Sequence, residues 1–250
     1  MIIVRAQRNG EVFYAAKEGS ALKRLSEAPF ERYAFTGETL ALSDVKLLVP
    51  CEPTKIVAVG LNYAQHAAEL KSQLTGSPVL FLKPLTALIA HGETIVYPAV
   101  CERVDYEAEL AVVIGKRCKN ITPLEAQSCI FGYTALNDVT ARDLQARDGQ
   151  WTRAKSFDTF CPIGPFIDTQ YNPAGKRIQS YLNGELKQNS TFDDMLFDVP
   201  TILSFISTCM TLLPGDIIAT GTPQGIGPMQ RGDTIEVRIE GLDTLKNSVK

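Results

Sequence analysis

Apolar residues in this chain occur mostly in short runs or alternate with polar residues, a pattern that predicts strands more often than helices. At the N-terminus, alternating segments flank Asn9-Gly10, a dipeptide typical of a two-residue hairpin turn. Further apolar runs at 43–50, 55–60 and 79–83 each predict a strand. The beginning of the chain is therefore expected to be rich in β-structure.

The same patterns continue later in the chain and predict further strands and a second hairpin. The strands fall at 94–98, 130–136, 217–220 and 234–239, and the hairpin turns at Asn183-Gly184.

Two segments carry clear helical signals. Thr122 and Glu125 can form a capping box with Pro123 at the first helical position, which predicts that a helix starts there. At 199–213, apolar residues spaced three and four apart predict a buried helix. We assign this second helix to core packing and not to chemistry.

The stretch at 104–115 combines an acidic first half with an apolar, β-branched second half, which is typical of a strand buried on both faces. Because side chains alternate along a strand, Glu107 and Glu109 point the same way. Two neighbouring carboxylates in apolar surroundings need a proton or a cation, and oxygen ligands suit Mg²⁺, Mn²⁺ or Ca²⁺. An exposed strand end with solvated acids is the alternative that this stretch leaves open.

A short helix is predicted after Asn62, which suits the N-cap position, and it extends to about residue 72. Its residues His66 and Glu69 are three apart and therefore share one face. The helix carries few large apolar residues, so packing holds it weakly, as in a mobile lid over a site. A surface helix with an ordinary ion pair explains the same residues.

Asp138 lies just after the strand predicted at 130–136, a place where functional residues often gather. Arg142 and Gln145 follow four and seven residues later, so all three face one side of a helical turn. An acid, a guanidinium and an amide on one face can bind a carboxylated ligand near a metal ion. A capped helix with an Asp–Arg pair is the alternative.

Composition and charge narrow the classes of protein. Of the 250 residues, 45% are hydrophobic and 21% are charged, which is ordinary for a soluble globular protein. The net charge of −3, without runs of Lys and Arg, argues against partners such as nucleic acid or a membrane surface. No apolar run is long enough to span a membrane, and the first residues resemble a strand instead of a signal peptide.

Six cysteines without a C-x-x-C pair indicate buried free thiols in a reducing, cytoplasmic protein. With only His66 and His91 in the chain, a Cys/His zinc site is not expected. The length fits one large domain or one domain plus a small lobe, and the alternating first 50 residues with a junction at Pro50 to Pro53 predict a small N-terminal β lobe at 1–50 and a larger domain at 51–250.

Taken together and in order, several segments resemble the fumarylacetoacetate hydrolase family over about residues 50–250. The matching segments are Gly60-Leu61-Asn62-Tyr63-x-x-His66-x-x-Glu69, Phe81-Leu82-Lys83-Pro84, Asp105-Tyr106-Glu107-x-Glu109-Leu110, Asn137-Asp138-x-Thr140-Ala141-Arg142-Asp143-x-Gln145, Ala154-Lys155-Ser156-Phe157-Asp158 and Thr220-Gly221-Thr222-Pro223-x-Gly225-x-Gly227.

This resemblance implies an α+β, mainly β fold, namely a mixed β-sandwich roll with a small N-terminal lobe, assembled as a homodimer. It implies Mg²⁺ or Mn²⁺, with Ca²⁺ as an alternative, held by Glu107, Glu109 and Asp138. It also implies two further groups of site residues. The catalytic ones are His66, Glu69 and Lys155, and the substrate-binding ones are Arg142, Gln145 and Thr222.

The resemblance further implies an enzyme that cleaves a C–C bond in a small 2-oxo acid through an enolate that the ion stabilises. It would be an acylpyruvate or fumarylacetoacetate-type hydrolase, or an oxaloacetate-type decarboxylase. His66 and Glu69 favour cleavage over isomerisation, because hydrolysis needs an activated water.

Other functions stay open at this point. One is isomerisation or tautomerisation of an unsaturated 2-oxo diacid, of the 5-carboxymethyl-2-hydroxymuconate or 2-hydroxyhepta-2,4-diene-1,7-dioate type. Another is a non-catalytic protein that binds carboxylates with the same pocket. A third is a structural subunit whose acids are simply solvated.

Overall fold

The structure is a computed structural model that describes residues 1–70, 73 and 76–250. Strands dominate it, as expected for an α+β, mainly β fold. In chain order the strands are β1 (Ile2–Arg8), β2 (Glu11–Glu18), β3 (Ala21–Leu25), β4 (Phe35–Ala41), β5 (Lys46–Leu47), β6 (Ile56–Gly60), β7 (Val79–Lys83), β8 (Leu88–Ile89), β9 (Thr94–Ile95), β10 (Val104–Tyr106), β11 (Ala108–Ile114), β12 (Ile130–Asn137), β13 (Thr140–Ala141), β14 (Cys161–Asp168), β15 (Arg177–Leu182), β16 (Glu185–Thr191), β17 (Ile217–Ala219), β18 (Gly227–Met229), β19 (Thr234–Ile239) and β20 (Leu245–Val249).

The helices are short, apart from the last. They are α1 (Ala64–Glu69), α2 (Pro123–Ala126), α3 (Arg142–Asp148), α4 (Thr152–Lys155) and α5 (Val199–Cys209).

The strands form one large sheet and two smaller ones. The large sheet has the order β4-β3-β2-β1-β14-β12-β11-β17-β6-β7, with β5 paired to β1 and β8 paired to β14. The smaller sheets have the orders β13-β10-β18 and β16-β15-β19-β20-β9. Strand β1 pairs with β14, so the N-terminal strands extend the large sheet, and the division into a lobe at 1–50 and a domain at 51–250 stays a prediction.

Strand β11 is buried on both faces, as its apolar sequence predicts. Leu110 and Val112 point into a cluster that also contains Ile202 of α5 and residues of β15 and β19. Ala111 and Val113 point into a second cluster on the opposite face of the sheet. By alternation, Glu109 lies on the same face as Ala111 and Val113, at the end of the strand where the cavity described below begins.

Both predicted hairpins are present. At the tip of β1 and β2, Asn9 and Gly10 have φ values of 51° and 85°, the left-handed conformation that a two-residue turn between twisted strands requires. Asn183 and Gly184 have φ values of 52° and 83° between β15 and β16. The capping box that begins at Thr122 is also formed.

Some boundaries differ from the prediction. The segment at 104–115 is two strands, because the backbone N–H of Glu107 donates to Asn137 Oδ1 (2.9 Å) instead of continuing a ladder. At 43–50 only β5 is a strand, since a 3₁₀ turn at Leu42–Asp44 precedes it. At 94–98 only β9 is a strand, and α5 ends at Cys209 because Met210 is extended.

Asn62 is not the N-cap of α1, contrary to the prediction. The cap is Tyr63, which makes no side-chain capping bond, while the buried Asn62 amide donates to the carbonyls of Thr220 (2.8 Å) and Phe197 (3.0 Å). The Asn62 side chain therefore joins α1 to the C-terminal part of the chain. The predicted end of this helix near Ser72 lies outside the described residues.

All six cysteines are free, and five of them are buried as predicted, whereas Cys209 is exposed. None of the helices within the described ranges is long and apolar enough to cross a membrane.

Candidate active site

A cavity with a volume of about 260 Å³ lies at the ends of β6, β7, β11 and β12. Its polar lining includes every predicted site residue except Glu69. Its apolar lining comes mainly from Leu61, Leu70, Phe81 and Trp151. The sequence-predicted residues, which are spread over more than 150 positions, therefore converge on one cavity.

The three predicted metal ligands meet at the bottom of this cavity. Glu107, Glu109 and Asp138 each offer a carboxylate oxygen, these oxygens lie within 4.8 Å of one another, and all three residues are buried. The antiparallel pairing of β11 with β12 sets Ala108 opposite Asn137. The backbone N–H of Asp138 also donates to the carbonyl of Glu107 (2.8 Å), so the pairing itself brings the carboxylates together.

Three cationic side chains surround these acids. The ammonium of Lys155 donates to Glu107 Oε2 (2.7 Å) and to Asp138 Oδ2 (2.6 Å). Lys83 donates to the other carboxylate oxygen of Asp138. Arg142 pairs with Glu107 and donates through Nε to Asp105 Oδ2 (2.9 Å). The cluster is thus a network of alternating charges shielded from water.

The neighbouring bases do not stabilise the negative charges of the acids equally. Burial opposes ionisation of Glu107, but Lys155 and Arg142 outweigh it and hold the pKa of that carboxyl well below its usual value. For Glu109, burial and the neighbouring Asp138 and Glu107 together raise the pKa well above its usual value. Burial also opposes the charge on Lys155, yet Asp138 and Glu107 prevail and raise the pKa of the ammonium.

The donor set fits a hard divalent cation. Among the described residues, Glu109 accepts a hydrogen bond only from the backbone N–H of Gly221 (2.8 Å), so its negative charge lacks a counter-ion of its own. Three buried carboxylates, one of them without a basic partner, are ligands of the type that Mg²⁺ and Mn²⁺ prefer. Glu107, Glu109 and Asp138 would hold such an ion.

His66 and Glu69 form the predicted pair on one face of α1. His66 Nδ1 lies 3.2 Å from Glu69 Oε2, and the imidazole is almost fully buried at the cavity wall. Burial lowers the pKa of His66, although Glu107 and Glu69 work in the opposite direction. Glu69 also accepts from the backbone N–H of Gly225 (3.2 and 3.3 Å), so α1 is tied to the loop that follows β17.

The predicted substrate-binding residues reach the cavity in different ways. Arg142 and Gln145 share one face of α3, as expected, and Arg142 donates to Gln145 Oε1 (2.5 Å). Thr222 lines the cavity, but its hydroxyl donates to the carbonyl of Ala108 (2.9 Å) and accepts from Gln188 Nε2 (2.8 Å). The hydroxyl of Thr222 therefore holds the loop against β11.

Sequence reasoning gave no role to Lys83, Asp105 or Gln188. These residues hydrogen-bond to Asp138, Arg142 and Thr222, respectively, and are not among the described residues that line the cavity. Lys83 ends an otherwise apolar strand, and a lysine in that position is the one sequence signal that could have indicated a buried charge. Nothing local in the sequence marked Gln188, whose amide meets Thr222 only through tertiary packing.

Comparisons with known proteins agree with this geometry. Residues 55–250 match the family described as "Fumarylacetoacetate (FAA) hydrolase C-terminal", and residues 1–50 match "Rv2993c-like, N-terminal". A protein of Methanocaldococcus jannaschii is 53% identical over 86% of this chain and 88% of its own length. The Bos taurus protein named "Oxaloacetate tautomerase FAHD1, mitochondrial" is 41% identical over 78% of this chain and 91% of its own length.

Solved structures show the same similarity. The 2-hydroxyhepta-2,4-diene-1,7-dioate isomerase from Mycobacterium marinum superposes with a TM-score of 0.93 at 43% identity, covering 100% of this chain and 98% of that one. Fumarylpyruvate hydrolase from Pseudomonas aeruginosa, in complex with Mn²⁺ and pyruvate, gives a TM-score of 0.75 at 32% identity, covering 82% of this chain and 91% of that one.

Proposed function

The chain belongs to the fumarylacetoacetate hydrolase family, and on that basis we propose that it is a divalent-metal-dependent enzyme that cleaves a C–C bond in a small 2-oxo acid. The observation that carries this proposal is the buried cluster of Glu107, Glu109 and Asp138 in a cavity of about 260 Å³. The Mn²⁺ and pyruvate in the P. aeruginosa hydrolase support the choice of ion and of ligand class.

An ion held by these three acids would supply Lewis-acid polarisation of the keto oxygen of the substrate. The protein adds positive charge at the same place. Lys155 and Arg142 both line the cavity and already donate to its carboxylates, so they can turn towards an oxygen that becomes negative in the transition state. Such preorganised donors are most effective in a buried site that excludes water.

His66 is arranged to take up a proton. Ionised Glu69 can only accept a hydrogen bond, so His66 Nδ1 carries the proton between them and Nε2 keeps its lone pair. Because burial lowers the pKa of His66, the imidazole is neutral and ready to act as a base near neutral pH. For cleavage, Nε2 would accept a proton from the water that attacks the distal carbonyl of an acylpyruvate.

The first experiment tests metal dependence. Protein treated with EDTA is assayed on acylpyruvates and oxaloacetate with and without Mg²⁺ or Mn²⁺, and the products are identified by NMR. We expect activity only with added metal and none in Glu109→Gln, while Glu125→Gln, at an exposed capping box, retains activity. Full activity of the metal-free protein, or of Glu109→Gln, would refute the proposal.

Tautomerisation or isomerisation of a 2-oxo acid is the second candidate, because relatives named as a tautomerase and an isomerase are 41% and 43% identical to this chain, against 32% for the fumarylpyruvate hydrolase. In that reaction His66 would remove a proton from C3 of the substrate and no water would be activated. The two candidates therefore use the same cluster and differ in which group gives its proton to His66 Nε2, namely a water for cleavage or C3 of the substrate for tautomerisation.

Deuterium exchange at C3, measured beside product formation, separates the two candidates. If the enzyme cleaves, His66→Ala loses cleavage by ~10²–10⁴-fold, the range for a general base, and retains exchange. If wild-type protein interconverts keto and enol forms or shifts a double bond without releasing pyruvate, the second candidate is the function. Retention of full cleavage by His66→Ala would exclude the imidazole as the base that activates water.

A further inference from the structure

Lys83 is a buried charge whose position the chemistry described above does not explain. It is the last residue of β7, and its side chain has no solvent exposure. It is not among the described residues that line the cavity, so it does not meet a ligand there. A buried ammonium is costly unless it is fully paired, so its partners show what it does.

The partners of Lys83 are two central parts of the site. Its ammonium donates to Asp138 Oδ1 and to the backbone carbonyl of Lys155 (2.6 Å). Lys155 is the last residue of α4, where helix carbonyls lack partners within the helix. A single ammonium thus holds both a candidate metal ligand and the end of the helix that carries the candidate catalytic lysine.

The two oxygens of Asp138 are consequently held by two different lysines. Lys83 holds Oδ1 from the side of the sheet, and the ammonium of Lys155 holds Oδ2 from the side of the cavity. If Lys155 turns towards a substrate, Lys83 still fixes both the Asp138 carboxylate and the backbone of Lys155. Outer contacts of this kind orient the groups that bind a metal.

We propose that Lys83 is a positioning residue, which aligns Asp138 and Lys155 for the reaction without touching the substrate. This inference rests on the proposed function of the site. The competing explanation is that Lys83–Asp138 is a structural ion pair that matters only for folding.

The chain offers a matched control for that explanation. Lys55 also donates to a fully buried aspartate, Asp216, which is held by the backbone N–H groups of Thr54 (3.0 Å) and Leu213 (2.8 Å). Neither Lys55 nor Asp216 is among the cavity residues that the structure describes. Lys55→Met therefore removes a Lys–Asp pair with a fully buried aspartate away from the site, although the Lys55 side chain is 21% exposed.

The test compares Lys83→Met with Lys55→Met at saturating Mn²⁺. We expect Lys83→Met to lower kcat about 10–100-fold and to weaken Mn²⁺ binding about tenfold or more, the range for outer contacts of a metal site. Lys55→Met should change only the melting temperature. Mn²⁺ binding is followed by electron paramagnetic resonance of the free ion, which needs no turnover.

Double variants show whether Lys83 acts through its two partners. In a Lys155→Met background, adding Lys83→Met should lower kcat by less than about threefold, and in an Asp138→Asn background it should leave residual Mn²⁺ binding nearly unchanged, because coupled groups are not additive. A merely structural Lys83–Asp138 pair would give a loss of kcat that adds to that of Lys155→Met, so the Lys155→Met background separates the two explanations. Lys83→Gln, which keeps two N–H donors without the charge, replaces Lys83→Met if that variant does not fold.

The outcomes separate this inference from the proposed function. If wild-type protein binds Mn²⁺ and turns over but Lys83→Met matches Lys55→Met, Lys83 is only structural and the inference is wrong. Unchanged or tighter Mn²⁺ binding in Lys83→Met overturns it as well, since Lys83 would then act only as a charge that repels the ion. If wild-type protein neither binds Mn²⁺ nor turns over, the proposed function fails, and the inference fails with it.

Discussion

Gly60 allows the only tryptophan of the chain to form a wall of the cavity, and this contact can be tested by one added methyl group. A Cβ at Gly60 would lie 2.2 Å from Trp151 Cζ3 and 2.6 Å from Cη2. Ordinary van der Waals contact begins at 3.4 Å, so the indole must retreat by about 1.2 Å in Gly60→Ala. Phe81 packs edge-on against the same indole, with ring centroids 5.3 Å apart, which limits where the ring can go.

The displaced ring should affect both the cavity and α4. Trp151 directly precedes α4, and its carbonyl accepts the backbone N–H of Lys155 (3.0 Å). Overpacking of this size costs about 1–3 kcal/mol of stability. A misplacement of about 1 Å near reacting groups can cost on the order of 10²-fold in kcat/KM. We therefore expect Gly60→Ala to fold with a lower melting temperature and to lose most of its activity.

Tryptophan fluorescence reports the displacement directly, because Trp151 is the single emitter of this type. The emission maximum and the quenching by pyruvate in the presence of Mn²⁺ should both change in Gly60→Ala. Gly76→Ala is the control, since a Cβ there meets no atom of the described residues within 4 Å. If Gly60→Ala has the emission spectrum and kcat/KM of Gly76→Ala, the indole does not pack on Gly60 and the reasoning is refuted.

Three further predictions concern single side chains. The acidic limb of kcat/KM against pH should lie below about 6.5, the ordinary pKa of histidine, because burial lowers the pKa of His66. Glu69→Gln should move the limb lower still, because Glu69 raises that pKa. A limb above about 6.5 would contradict this prediction. Lys155→Met should lower kcat by on the order of 10²-fold at saturating metal, and an unchanged kcat would mean that the ammonium only pairs with carboxylates. Asn62→Ala leaves one buried and two partly buried backbone groups without their partner, so urea unfolding should show a loss of about 2–4 kcal/mol in the free energy of unfolding. A loss below about 1 kcal/mol would mean that water replaces the amide.

The fold was predictable where a local rule decides the conformation. The Asn-Gly hairpins at Asn9 and Asn183 need left-handed backbone, and the sequence supplies the residues that tolerate it. The capping box at Thr122 is equally local. Strand β18 and the pairing of β20 with β9 carry no such signal, because they arise when distant segments meet at a sheet edge.

The break of the central strand at Glu107 shows a different limit. The sequence of residues 104–115 predicts one strand, but the backbone N–H of Glu107 donates to the side chain of Asn137 instead of to a neighbouring strand. At this point the chain passes from one sheet to another. Propensity cannot reveal such a change, since it depends on a partner thirty residues away. The face shared by Glu107 and Glu109 was nevertheless correct, because both carboxylates point into the same cluster.

The same distinction applies to the site. Spacing identified His66 with Glu69 and Arg142 with Gln145, because pairs three apart must meet on a helix. The same reasoning misassigned Asn62, whose polar side chain suits a cap but donates instead to the carbonyls of Thr220 and Phe197. Short polar residues compete for several kinds of backbone partner, and only the tertiary structure decides between them.

The charge balance of the buried cluster links the site to an order of binding. When all of its groups are ionised they carry a formal charge of zero, which comes from four acids and four bases, namely Asp105, Glu107, Glu109, Asp138, Lys83, Arg103, Arg142 and Lys155. A balanced cluster gives the carboxylate of a 2-oxo acid no net attraction, and the balance becomes +2 once a divalent cation is added. The raised pKa of Glu109 marks the carboxyl that lacks a basic partner and that a bound cation would help to ionise. Because opposite charges attract strongly in a site with little water, we expect the acids to bind the cation first, and the loaded site then to bind the substrate carboxylate.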